Sequence, residues 1–271
     1  VAAMRALESK RNESEGRLIE DPFAEILAGE EGLALAEKAI QEVGDNPVIA
    51  FRTRYIDDRL QKALDMGIRQ IVILASGMDS RAYRCSFPQG TSLFEIDRSE
   101  VLSYKQEKMQ HVLPQCDRHM IEIDLREDWP TALIQAGMNP KQPTLWLVEG
   151  LLMYLEESVV HDLFLKINTI SSSKSMMLFD VLGSSLLKAP YMVPQLNFLK
   201  KLGAPWLFGT DHPEKILEKI DWECVLTQPG EVCPARWLFP VVPLHIPNVP
   251  RSFFVEAQKK IKDGRFKFAQ V

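Results

Sequence analysis

Five short apolar runs, each closed or interrupted by a small or acidic residue, constrain this chain more than any other feature. They are IVILAS (71–76), SLFEID (92–97), HMIEID (119–124), TLWLVEG (144–150) and SMMLFDV (175–181). Their length suits strands, and helix-like segments separate most of them: Ser99 to Met109, Trp129 to Ala136 and Glu156 to Thr169. A strand–helix alternation implies a parallel sheet, because parallel neighbours need a long crossover and a helix supplies it. Helices then cover both faces, which explains why the runs are apolar on both sides. Two further runs, WECVLTQ (222–228) and SFFVEAQ (252–258), read as additional strands. The proline-rich piece between them, through PVVPLHIPNVP, reads as an extended connection.

Two regions fall outside the alternation. Residues 1–66 read as a helical N-terminal extension. Within it, Asn46-Pro47 is a helix start, and an apolar stripe of Ile56, Leu60, Ala63 and Leu64 runs up to Gly67. Residues 184–213 form an aromatic- and proline-rich insertion after the fifth strand. The expected organisation of 1–271 is one domain, with both regions capping the carboxyl ends of the strands.

The bulk properties exclude several classes. The net charge is −5 and no Lys/Arg-rich run occurs, so nucleic acid is not expected as a partner. The apolar runs fall well short of the ~20 residues that a membrane-spanning helix needs. The first sixteen residues are polar, without the apolar centre of a secretory leader, so a cytoplasmic location is expected. Cys85, Cys116, Cys224 and Cys233 form no CxxC pair and read as reduced thiols. His111, His119, His161, His212 and His245 are scattered, and no metal site is expected. The sequence names no oligomeric state.

Ligands of open α/β sheets bind beyond the carboxyl ends of the strands. Four positions there form a series. Gly77 follows the first strand, and its missing side chain lets a ligand approach the backbone. Asp97 closes the second, 20 residues on, where a carboxylate can accept from two ribose hydroxyls. Asp124-Leu125 close the third, where an adenine ring could be held. Glu149-Gly150 close the fourth, at the sheet centre. A dinucleotide would need a glycine-rich turn for its pyrophosphate, and Met78 and Asp79 crowd that place. A sulfonium cofactor carries no phosphate and tolerates carboxylates. The series therefore favours S-adenosylmethionine over NAD.

The stretches RLIEDPFAEIL, FRTRYIDDRL, LASGMDSRAYR, FEIDRSEV, DLRED and VEGLLMYL resemble the leucine carboxyl methyltransferase family. The likeness is strongest to its bacterial branch, the tetracenomycin-type O-methyltransferases of polyketide and peptide natural-product biosynthesis. It runs from about Arg5 to Gly183, with a weaker echo in ARWLF and SFFVEAQ. It implies a class I methyltransferase sheet, Rossmann-like, with seven mostly parallel strands, the last antiparallel, and a helical cap. It also implies a cofactor site: Arg54 toward the methionine carboxylate, Gly77 under the methionine moiety, Asp97 at the ribose. Asp124 and Leu125 would hold the adenine, and Glu149 would face the methionine amino group. Arg52 lies roughly 200° round the helix from Arg54, so only one of the two should reach the cofactor. One departure stands out: where the family usually has the first glycine of G-x-G-x-D-x-R, this chain has Ala75.

The expected activity is O-methylation of a carboxyl or hydroxyl on a small hydrophobic secondary metabolite, free or carrier-bound. The alternatives are a protein C-terminal carboxyl methyltransferase, an NAD-dependent oxidoreductase and a non-catalytic cofactor-binding protein. No catalytic base is assigned. Asp180, His212 and Tyr154 are the candidates. Tyr191, Met192, Phe198, Trp206 and Phe208 are expected to line the acceptor pocket.

Overall fold

The structure is a computed structural model that describes residues 1–44, 47–232 and 239–260. Its centre is one seven-stranded sheet: β1 Gln70–Leu74, β2 Ser92–Asp97, β3 Asp117–Glu122, β4 Thr144–Val148, β5 Met176–Leu182, β6 Trp222–Thr227 and β7 Ser252–Lys259. The spatial order is β3-β2-β1-β4-β5-β7-β6. Four pairings are parallel, and β7 runs antiparallel between β5 and β6. This is the sheet expected from the alternation, with the last strand reversed.

The strand ends differ from the apolar runs by a residue or two. β1 stops at Leu74 because Ala75 turns into the left-handed region, with φ +50°. β4 stops at Val148, which frees Glu149 and Gly150 from the ladder. β3 begins two residues early, at Asp117, because it is an edge strand whose extent is set by pairing with Ser92 on β2.

Alternation along each strand divides the core between the two faces of the sheet. On one face Val72, Phe94, Trp146 and Phe179 pack against α6 (Trp129–Gln135), α7 (Glu157–Thr169) and α10 (Glu214–Glu218). On the other, Ile71, Leu93, Leu147 and Leu178 meet the stripe Ile56, Leu60, Ala63 and Leu64 of α3 (Val48–Asp65). Each fully buried side chain of this size contributes about 1.5–3 kcal/mol, so these layers dominate stability. Asn46 and Cys233 lie outside the described residues. Cys85, Cys116 and Cys224 are free, and burial pushes their thiols up to about 11, 12 and 11.

The segments outside the alternation divide: α3, the last part of 1–66, covers a face of the sheet, while α1 and parts of 184–213 contact turns after the central strands. α1 (Ala2–Ser9) reaches the turn after β1: buried Arg5 donates to Asp21 (2.8 Å) and to the Met78 carbonyl (2.6 Å). α2 (Ala24–Val43) touches α9 (Val193–Lys201) of the 184–213 segment. That segment is tied to the sheet twice, by Leu207 N–H on Met153 O (2.6 Å) and Thr210 N–H on Leu182 O (2.8 Å). No described helix is long and apolar enough to cross a membrane.

Candidate functional site

The turn after β1 is built from two left-handed residues. Ala75 has φ +50° and Gly77 φ +48°. Ser76 N–H donates to Ile96 O on β2 (3.1 Å), and Asp79 N–H closes the turn on Ser76 O (2.9 Å). For alanine the left-handed conformation costs about 1 kcal/mol or more, because Cβ crowds the following carbonyl. At Gly77 the conformation costs little, and a Cβ there would meet only Ala75 O, at 3.9 Å, so this side of the turn is open. Gly77 N–H donates to Asp97 Oδ2 (2.7 Å), while Asp97 Oδ1 accepts from Arg98 N–H (2.8 Å). The buried Ser76 hydroxyl has no hydrogen-bond partner.

Beside this turn lies a buried cluster of charges. Arg81, 2% exposed, donates to Asp57 (2.7 Å), to Asp79 and to Glu149 Oε2 (2.8 Å). Arg52 donates through Nε to Glu149 Oε1 (2.9 Å) and through Nη1 to Asp180 Oδ2 (3.0 Å). Gly150 N–H completes the Asp180 shell (2.6 Å on Oδ1). Arg84 holds Asp57 (2.7 Å), and Ser80 Oγ donates to Asp21 (2.6 Å). Gly150, at φ +64°, permits the packing: a Cβ there would stand 3.0 Å from Arg52 Nη2.

The cluster comprises four arginines, Arg5, Arg52, Arg81 and Arg84, and five carboxylates, Asp21, Asp57, Asp79, Glu149 and Asp180. Counted with all nine groups ionised, it carries one formal negative charge in excess. Burial favours the neutral carboxyl of Glu149, but Arg81 and Arg52 outweigh it and hold its pKa down at about 2. Asp79 is likewise depressed, burial being overcome chiefly by Arg81. Asp180 moves the other way, because burial wins over Arg52.

Glu149 titrates near 4.5 in an unfolded chain and near 2 in the fold. The folded state thus binds this proton more weakly. Its stabilisation is present above about pH 4.5 and is lost as the pH falls toward about 2. Melting temperatures followed by circular dichroism are expected to fall steeply across that window. The Glu149→Gln variant, which lacks the titrating group, should show a shallower slope there; identical slopes would exclude Glu149 as the source.

The sequence-predicted residues divide. Gly77, Asp97 and Glu149 come together around the turn. Asp124 and Leu125 lie just past the end of β3, next to β2 through Ile123 N–H on Asp97 O (3.0 Å). The Asp124 carboxylate is held by Arg126 (2.7 Å), which lowers its pKa to about 2. Of the two arginines of α3, the structure buries the one that was not assigned to the cofactor. Arg54 is exposed and paired with Asp58 in the same helix (2.9 Å), whereas Arg52 is buried in the charged cluster. A signal for this was present: Arg52 shares the stripe of Ile56, Leu60 and Ala63 at helical spacing. Arg81 and Asp79, from the turn and the helix start after β1, both belong to the cluster around Glu149.

The acceptor-pocket candidates differ in burial. Phe198 and Phe208 are buried, Tyr154 and Tyr191 are exposed, and Met192 and Trp206 are half-buried. His212 is paired with Glu214 (3.0 Å). Both oxygens of Asp180 are already engaged by Arg52 and Gly150.

Comparison with known proteins places the chain in a family. The sequence model of the leucine carboxyl methyltransferase family matches residues 1–168, well over half of the chain. The protein belongs to the leucine carboxyl methyltransferase family. Relatives within reach of this family member include a Frankia alni protein named as an S-adenosyl-L-methionine-dependent methyltransferase. It is 39% identical over 190 residues, 65% of each chain. A Mycobacterium avium protein of the same name is 41% identical over 199 residues, 68% of this chain and 63% of the relative. The chain thus spans just under two thirds of the length of the curated relatives it matches.

Among solved structures, a protein of Thermobifida fusca described as a methyltransferase superposes with a TM-score of 0.64 at 18% identity, covering 88% of this chain and 93% of that one. Human N-acetylserotonin methyltransferase, solved with SAM, superposes with a TM-score of 0.51 at 14% identity, covering 96% of this chain and 66% of that one. At these identities the likeness speaks for the fold. The sheet of this leucine carboxyl methyltransferase family member is the class I methyltransferase sheet.

Proposed function

We propose that the protein is an S-adenosylmethionine-dependent O-methyltransferase acting on a carboxyl or hydroxyl of a small hydrophobic metabolite, of polyketide or peptide type. The observation that carries this reading is the buried cluster between the β1 turn and the ends of β4 and β5. Its one excess carboxylate complements a ligand of net charge +1, the charge of a sulfonium on a zwitterionic methionine tail. A pyrophosphate placed there would meet Asp79 and Glu149. The orphaned Ser76 hydroxyl and the open side of Gly77 are consistent with a polar ligand at the turn.

In this reading Arg52, rather than Arg54, faces the methionine carboxylate, with a planar fork suited to it. Glu149 accepts from the amino group. Asp97 holds the ribose hydroxyls, exchanging its bond to Gly77 N–H for them. Asp124 and Leu125 flank the adenine. The N-terminal helices and the 184–213 segment form the cap that excludes water. When bound, the cofactor supplies a methyl group on a positively charged sulfur, a bond that breaks with its electron pair left on sulfur as the acceptor oxygen attacks. The protein's part is to hold that oxygen in line and to keep the site dry. With both Asp180 oxygens engaged, the cluster offers no free base, which suits an acceptor that arrives as a carboxylate.

The test is calorimetric titration with S-adenosylmethionine, S-adenosylhomocysteine and NAD, followed by transfer of labelled methyl to a panel of hydrophobic acids, phenols and peptides. Binding of NAD alone would sink the proposal. Labelling of peptide C-termini alone would redirect the acceptor to protein. Asp97→Asn keeps one acceptor oxygen and removes the charge, and is expected to weaken S-adenosylhomocysteine binding roughly tenfold. An unchanged affinity would remove Asp97 from the site.

A further inference from the structure

Outside the charged cluster, a groove of about 310 Å³ lies between α7, the start of α8 (Ser184–Leu187) and the 208–219 segment. It lies off the end of β5. Asp180 and Gly183 are three residues apart, about 10 Å along an extended chain. The groove is therefore beside the charged cluster rather than part of it.

Its walls are closely built. A Cβ on Gly183 would stand 2.5 Å from Asp211 Oδ1, and one on Gly209 would stand 2.8 Å from Leu187 Cδ1. The 208–211 stretch is thereby pressed against the β5–α8 turn. Phe208 and Ile216, both largely buried, supply the apolar floor.

The polar lining is asymmetric in what it leaves unpaired. Asp211 is taken up by the hydroxyls of Ser184 (2.6 Å) and Ser185 (2.7 Å). Glu157 stands exposed on the rim, 3.7 Å from His161. Lys215 and Lys219, one helical turn apart, line the groove, and neither makes an ion pair among the described residues. His161 and His212 also line the groove, but each faces an acid, Glu157 at 3.7 Å and Glu214 at 3.0 Å. The two exposed lysines are thus the cations left over the apolar floor, while Asp211 is taken up by two serine hydroxyls and Glu157 stands beside His161.

We propose that this groove binds an organic acid anion, a carboxylate or phosphate monoester carried on an apolar body. The lysine pair takes the anionic head and the Phe208–Ile216 floor takes the body. The volume suits a ligand of fragment size rather than a polymer. This assignment stands independently of the methyl-transfer reading.

The test uses 3-phenylpropionate and phenyl phosphate as anionic probes and 3-phenylpropanol as the neutral control. Binding is followed by ¹⁵N NMR at low ionic strength, where exposed lysines are least screened. At least one anionic probe is expected to bind saturably, at least tenfold more tightly than the alcohol, with shifts centred on residues 208–219 and 157–161. Lys215→Ala/Lys219→Ala is expected to abolish that preference and leave alcohol binding unchanged. Both lysines are exposed, so the double variant should fold, which an unchanged melting temperature would verify. Equal affinity for acid and alcohol, no effect of the double substitution, or shifts centred elsewhere would overturn the assignment. S-adenosylhomocysteine binding serves as a separate readout, because its loss in the wild-type protein would count against the methyl-transfer reading alone.

Discussion

Replacing Arg52 with methionine is expected to weaken S-adenosylhomocysteine binding by about 100-fold or more, while Arg54→Ala changes it by about twofold at most. The contrast follows from position on one helix. Arg52 is buried between Glu149 and Asp180, and Arg54 is exposed and paired with Asp58. An exposed pair of this kind contributes only about 0.3–0.5 kcal/mol, so losing it leaves the fold and the site intact. Removing Arg52 leaves two buried carboxylates without their shared cation, which costs about 3–5 kcal/mol and threatens folding. Arg52→Lys is therefore the companion variant. It keeps the charge but loses the planar fork, so it should fold and bind about tenfold more weakly. Calorimetry on samples verified by melting curves makes the comparison. A loss with Arg54→Ala and none with Arg52→Lys would restore Arg54 to the site.

Gly150→Ala is expected to lower both stability and cofactor affinity, the latter by about tenfold or more. Two effects combine. At φ +64° any side chain is strained, by about 1 kcal/mol or more. The new Cβ would also sit 3.0, 3.2 and 3.3 Å from Nη2, Nη1 and Cζ of Arg52. That guanidinium cannot simply swing aside, because Glu149 and Asp180 hold it by two hydrogen bonds. Gly67→Ala separates the terms. Its φ is +92°, and nothing lies within 4 Å of a Cβ there. It should show the backbone cost without the loss of affinity. Equal affinities in the two variants would mean that Gly150 serves only the turn and not the seating of Arg52.

Much of the sheet was legible because burial on two faces leaves a strong trace. Each of β1, β2, β4 and β5 needs a short continuous apolar run, and crossover helices need the longer spacing between runs. The edge strand β3 was shifted by two residues. Its Asp117 and Arg118 carry no apolar signal, and only pairing with β2 defines where it begins. The turn was legible for a similar reason. Gly77 and Asp97 are separated by a spacing that a strand, a turn and a second strand impose. In the structure they meet directly through Gly77 N–H on Asp97.

The order and type of the elements, the parallel sheet, and the placing of Gly77, Asp97 and Glu149 at its edge were determined by the sequence itself. Each depends on local period and on residues fixed at strand ends. The choice between Arg52 and Arg54, the engagement of Asp180 and the recruitment of Arg81 were decided only in the tertiary structure. A buried charge is tolerated only where its partners converge, and here those partners come from α3, the β1 turn, β4 and β5, up to 128 residues apart. Helical spacing could say that one arginine faces the sheet; the presence of Glu149 and Asp180 there is what makes that face habitable for a guanidinium.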